Sequence, residues 1–116
     1  MVDVLVLLLN LGGDFSVNIV FHEGCLGKDL EVKHLPNGDM YVLLISEESD
    51  NGEIEWIKHV SFNPFADETL QQLKKGAKVR VKSRLKHLRW IDPKSNRQRT
   101  RLTCVIADIV LFEKSE

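Results

Sequence analysis

The chain has 116 residues, 43% of them hydrophobic, and a formal net charge of −1. That describes one domain large enough for a core, and the composition excludes a disordered chain. Its two cysteines, Cys25 and Cys104, form neither a metal-ligand spacing nor a disulfide framework, and are expected as buried free thiols in a reducing compartment.

The first residues, M-V-D-V-L-V-L-L-L-N-L-G-G-D, are apolar but carry no Lys or Arg. A signal peptide needs a basic start and a small-residue cleavage site, and a membrane span needs about 20 apolar residues. Residues 1–15 are therefore expected as an apolar N-terminal extension, either an extra strand or a segment packed on a partner subunit. Gly12-Gly13 reads as a turn before the domain proper, residues 16–113.

Residues 16–25 alternate apolar and polar, with Val17, Ile19 and Phe21 on one side, the pattern of a half-buried strand. Residues 30–34 continue the pattern. Leu35-Pro36-Asn37-Gly38 then carries turn chemistry: Pro sets one φ and Asn-Gly tolerates positive φ. Residues 40–45 form the next strand. Asn51-Gly52, inside the polar run 46–53, marks a hairpin that residues 54–62 answer.

One helix is predicted. Asn63 can cap it, Pro64 suits its first turn, and Phe65, Leu70 and Leu73 can form its apolar stripe. Lys74 and Lys75 would sit at the negative end of its dipole, and Gly76 would stop it. Residues 78–90 and 99–112 read as two long strands around a D-P-K-S-N loop over 92–98. Many strands with a single helix between the third and fourth predict an all-β fold, a small barrel.

The charge is polarised. From Lys74 to Arg101 the chain holds 12 of its 16 Lys and Arg and one acid, Asp92, so this stretch carries +11 and the remainder −12. Such a field suits a polyanion, although a charge run can also be a solvated face. Strand alternation puts Lys78, Arg80, Lys82, Arg84 and Lys86 on one face, with Val79, Val81 and Leu85 on the other. Trp90 has the parity of the basic set, Arg99 and Arg101 share a parity on the return strand, and Arg97 lies in the loop between them. The earlier strand presents Trp56, Lys58, Val60 and Phe62 together.

Two strands thus interleave aromatics with cations. Lys and Arg bind phosphates by releasing counterions, and unpaired bases stack on aromatic rings. A double helix hides its base faces, so this pairing points to single strands. The pattern equally allows each Trp to be a core residue. Against catalysis, His22, His34, His59 and His87 show no ligand spacing, and there is no Gly-rich phosphate loop and no G-x-S-x-G. No enzymatic activity, metal or other cofactor is expected.

Several stretches in order resemble one family. Residues 24–32 (G-C-L-G-K-D-L-E-V), the P-N-G turn at 36–38, residues 55–62 (E-W-I-K-H-V-S-F) and residues 73–85 (L-K-K-G-A-K-V-R-V-K-S-R-L) are similar to motifs of the bacterial-type single-stranded DNA-binding proteins. Leu30 stands where that family often has Pro, and Ser83 where it usually has Gly. The resemblance spans residues 17–111 and implies an OB-fold, a five-stranded barrel with one helix between strands 3 and 4. It implies sequence-tolerant binding of single-stranded DNA in replication, recombination or repair, by a cytoplasmic, nucleoid-associated homotetramer or homodimer. Replication or repair proteins would be further partners, with no membrane involved. Trp56, Phe62 and Trp90 would stack bases, and Lys58, Arg80, Lys82, Arg84, Lys86, Arg97, Arg99 and Arg101 would hold the backbone.

The sequence departs from that family in three places. The segment S-E-E-S-D-N-G-E is acidic where the family often has an aromatic and basic residues. The apolar extension has no counterpart. The chain stops at residue 116, without the family's long acidic-tipped tail, which suggests a short, tail-less member. The layout is also similar to the primosomal replication-restart protein N family, whose likeness would imply an accessory or protein-interaction OB module. An RNA rather than a DNA ligand is equally compatible with the pattern.

Overall fold

The computed structural model describes residues 4–11 and 15–112. They form seven strands in one mainly antiparallel sheet, plus one short helix: β1 Val4–Leu11, β2 Phe15–Cys25, β3 Glu31–Leu35, β4 Gly38–Glu48, β5 Ile54–Ser61, α1 Asp67–Gln72, β6 Lys78–Ile91 and β7 Gln98–Leu111. Strand order across the sheet is β1-β2-β6-β7-β5-β4-β3. Only β5 and β7 run parallel, where His59 faces Cys104 and Val60 faces Val105.

The mostly-β architecture with one helix is as expected. The strand count is seven rather than five, because the apolar extension adds β1 and the P-N-G turn splits off β3. β1 pairs antiparallel with β2, from Val4 opposite His22 to Leu11 opposite Phe15. The expected Gly12-Gly13 turn lies outside the described residues. At the P-N-G turn, Gly38 takes φ +129° and β3 turns back on β4.

No continuous ladder closes the sheet on itself. Instead β2 meets β4 along a short seam: a single bridge between Leu26 and Ile45, the Gly27 N–H on the Leu44 carbonyl at 3.0 Å, and the Cys25 N–H on Ser46 Oγ at 2.9 Å. Gly24 permits this approach, because a Cβ there would collide with the Ser46 carbonyl oxygen.

The core lies inside this curl. Leu26, Leu43, Ile45, Leu73, Val79, Val81 and Ile106 form its buried cluster, with Leu30, Phe65, Ala77, Ile109 and Leu111 packed against it. Burying a Leu, Ile or Val side chain contributes about 1.5–3 kcal/mol, so this cluster dominates the stability of the curl.

Three expectations are corrected. On β2 Val20, His22 and Gly24 are buried while Phe21 is exposed, so Val17, Ile19 and Phe21 form the outer rather than the inner face. The inward Asn18 bonds the backbone of β6 twice, its amide N–H donating to the Leu85 carbonyl and its oxygen accepting the Leu85 N–H.

The helix is six residues long and begins after Ala66, with no side-chain cap. Asn63 instead belongs to a turn held by Ser61 Oγ, which accepts the Asn63 N–H and donates to its carbonyl. Lys74 and Lys75 fall beyond the last turn, where Asp29 accepts the Lys75 N–H at 2.8 Å. Cys25 is exposed rather than buried. Cys104 is partly buried, and burial pushes its thiol pKa up.

Candidate nucleic-acid interface

The outer face of β5 presents Trp56 and Lys58, and Phe62 directly after the strand continues the alternation. On β4, Val42 lies beside Val60, Leu44 beside Lys58 and Ser46 beside Trp56. Neither tryptophan is a core residue: Trp56 is 50% exposed, Trp90 43% and Phe62 46%. Large aromatics left half in water at three places on one surface carry an unspent apolar area.

Trp56 owes its position to Gly27, since a Cβ on residue 27 would stand 2.7 Å from the indole benzo ring. The chain crosses under the ring only because that position is glycine.

Phe62 and Trp90 line a shared groove of about 970 Å³. One wall is the β3–β4 turn with Lys33, Leu35 and Pro36. The other is the β6–β7 hairpin with Leu88, Trp90 and Arg101. Lys58, Val60 and Phe62 form the floor. The hairpin keeps its shape through a tight loop: the Asp92 N–H donates to the Arg97 carbonyl and the Asn96 N–H to the Asp92 carbonyl, with Asn96 at φ +55°.

The floor is electrostatically loaded. The Lys58 ammonium is held below its ordinary pKa, first by burial and then by the charges of Lys33 and Arg101, with Lys28 adding to them and Glu31 opposing. Lys28 and Lys33 each lie near Glu31, at 3.6 and 3.9 Å. Several cations converging on one half-buried lysine form a site where an anion is favoured.

Of the predicted residues the groove collects Lys58, Phe62, Trp90 and Arg101, and Trp56 lies further along the same face of β5. It does not collect the first half of β6. Arg80 bonds Glu23 at 2.9 Å and stacks over the Phe112 ring at 5.2 Å. Lys82 lies opposite Asp108 on one side and Phe21 on the other. Arg84 and Lys86 are exposed outside the groove lining. Arg99 is paired with Asp92 at 3.4 Å, and Arg97 is exposed in the hairpin loop.

Sequence reasoning missed Lys28, Lys33, Leu35, Pro36 and Leu88. Of these, Lys33, Leu35 and Pro36 are signalled only by the P-N-G turn, which sends β3 back along β4 and so delivers Lys33 to the groove. Among the described residues no group of three His, Cys, Asp or Glu is placed to hold a metal ion, and no helix is long and apolar enough to cross a membrane.

Residues 17–112 match the model of the Single-strand binding protein family. That is most of the chain, and the chain belongs to this family.

Proposed function

We propose that this chain binds single-stranded DNA with little regard to sequence, in replication, recombination or repair, and that the groove over β5 is where it does so. Lys58, Lys33 and Arg101 attract the phosphates, while Trp56, Phe62 and Trp90 stack unpaired bases. The single observation that supports this most is the set of three half-exposed aromatics interleaved with cations on one continuous sheet face. Base stacking contributes about 1–3 kcal/mol per base and ignores base identity, because every base has a π-face.

In this reading the curled sheet is an OB-type barrel joined at the β2–β4 seam. The chain works in the cytoplasm as a homo-oligomer, tetramer or dimer, and performs no catalysis. Arg84, Lys86 and Arg97 extend the path beyond the groove, whereas Arg80 and Arg99 are paired with Glu23 and Asp92, and Lys82 lies opposite Asp108. The acidic β4–β5 hairpin lies off the path, since its carboxylates repel phosphate.

Tryptophan fluorescence on titration with poly-dT, and with a matched duplex, at several salt concentrations tests the reading. The expected result is strong quenching by poly-dT and weak, salt-sensitive duplex binding. Absence of both quenching and salt-dependent binding would sink it and turn attention to a protein partner.

A further inference from the structure

Four strands meet at one buried polar point. His22 of β2, His59 of β5 and Ser83 of β6 are all fully buried. His22 Nδ1 lies 2.9 Å from His59 Nε2, His59 Nδ1 lies 2.9 Å from Ser83 Oγ, and His22 Nε2 lies 3.0 Å from the carbonyl oxygen of Ser46 on β4.

The Ser46 carbonyl can only accept, and this sets the direction of every other bond. His22 must carry its proton on Nε2, which leaves Nδ1 as an acceptor. His59 must then donate from Nε2, and its Nδ1 accepts from the Ser83 hydroxyl. The chain runs Ser83 to His59 to His22 to Ser46, with both rings neutral and every polar atom satisfied. A proton added at His22 Nδ1 would set two N–H groups against each other across 2.9 Å. Reversing the chain to avoid this would take away the acceptor of the buried Ser83 hydroxyl.

The charged surroundings do not rescue the protonated form. From β4, Glu47 brings one oxygen to 3.8 Å from His22 Nε2, and that oxygen is buried without a hydrogen-bond partner. It favours a proton on His22, but burial outweighs it and His22 stays below its ordinary pKa. From β7, Cys104 lies opposite His59 with a thiol that burial keeps protonated. From β6, Val81 faces His22 in register, and Arg80 and Lys82 alternate to the exposed side. Glu23 on β2 bonds Arg80. Lys58 on β5 lies in the groove.

This chain of bonds spans the seam. Beside it, β2 and β4 are joined by the Leu26–Ile45 bridge and by backbone N–H contacts from Cys25 and Gly27. The same seam carries Trp56, whose ring covers Gly27 and whose cross-strand neighbour is Ser46.

We propose that His22, His59 and Ser83 form a proton-sensitive clasp that holds the β2–β4 seam shut at neutral pH and releases it in acid, unseating Trp56. Opening brings both imidazoles and the Glu47 carboxylate to water, where the imidazoles take up protons. Each histidine that does so multiplies the open population by about tenfold per pH unit below its ordinary pKa. The clasp stands on its own geometry, and only its effect on DNA rests on the proposed function.

Amide hydrogen exchange, corrected for the chemical rate, tests it between pH 7 and pH 5. The expected result is at least about tenfold loss of protection at Cys25 and Gly27 with the β6–β7 amides still protected, and no such loss in the His22→Leu/His59→Val double variant. Unchanged protection in the parent chain, or an equal loss in the variant, overturns the clasp. If the variant does not fold, imidazole ¹⁵N signals of the parent decide instead. Both rings neutral with the proton on Nε2 at pH 7 uphold the clasp, and a charged ring or the other tautomer overturns it. Oligo-dT titrations alongside separate the two readings. A seam that opens in a chain binding no single strand at any pH upholds the clasp and removes only the proposed function.

Discussion

The benzo ring of Trp56 covers Gly27, three of its carbons within 2.9 Å of where a Cβ would stand. The indole therefore rests on bare backbone while half of the residue stays in solvent. A methyl group at this position has to move the ring. Gly27→Ala is expected to shift Trp56 emission and to weaken poly-dT binding by no more than the loss of one stacked base, about 1–3 kcal/mol. Unaltered emission would mean that the backbone gives way and the ring stays.

Removing the aromatics separates binding from folding. Trp56→Ala and Trp90→Ala are each expected to weaken single-strand binding by about 1–3 kcal/mol, read from titrations at fixed salt. Both side chains are roughly half in water, so thermal midpoints should move little. A large fall in midpoint would show that the ring packs the domain rather than a base.

Salt dependence distinguishes groove cations from balanced ones. Each phosphate contact contributes about 0.7 to the slope of log affinity against log salt for a single strand. Lys58→Ala with Arg101→Ala is expected to reduce that slope by about 1.4. Arg80→Ala, which removes a cation already held by Glu23, should leave it unchanged. The reverse order would place the strand over the first half of β6.

The buried histidines set a pH dependence with a definite sign. His22 is lowered from 6.5, and His59 is lowered to about 3, by burial first and by His22 second. The unfolded chain therefore takes up protons that the folded chain refuses. Stability is complete above pH 6.5 and falls as the pH drops from there toward 3. The slope is at most about 1.4 kcal/mol per pH unit for each histidine. Urea unfolding from pH 8 to pH 4 checks this, and a flat profile would mean that the rings are charged in the fold.

Most strands and the face of β5 were legible because alternation is a local signal, and Trp56, Lys58 and Phe62 read correctly from spacing alone. The inward face of β2 was not. Val17, Ile19 and Phe21 are its more apolar set, so pattern sends them inside. The residues that do go inside include His22 and Asn18, whose partners lie 37 and 67 positions away. Such bonds leave no trace in a window of ten residues.

The helix was misplaced for a related reason. Asn63-Pro64 carries helix-start chemistry, but Ser61 claims Asn63 for a turn first. In the groove, Lys33 and Leu35 arrive only through the return of β3 along β4. The alternation of β6 was read correctly, but its cations separate in space, because the strand runs out of the groove toward Glu23 and Asp108.

β3 has a further consequence. It ends the sheet, and an unpaired sheet edge invites foreign strands to add on. Here the edge is five residues long, four of them exposed, with Glu31, Lys33 and His34 along it and Pro36 directly after. A strand this short, with charged residues between its apolar ones, offers few backbone groups to an intruder. The margin of the groove therefore also guards against aggregation, and the lysine proposed to attract phosphate helps keep neighbouring molecules from polymerising edge to edge.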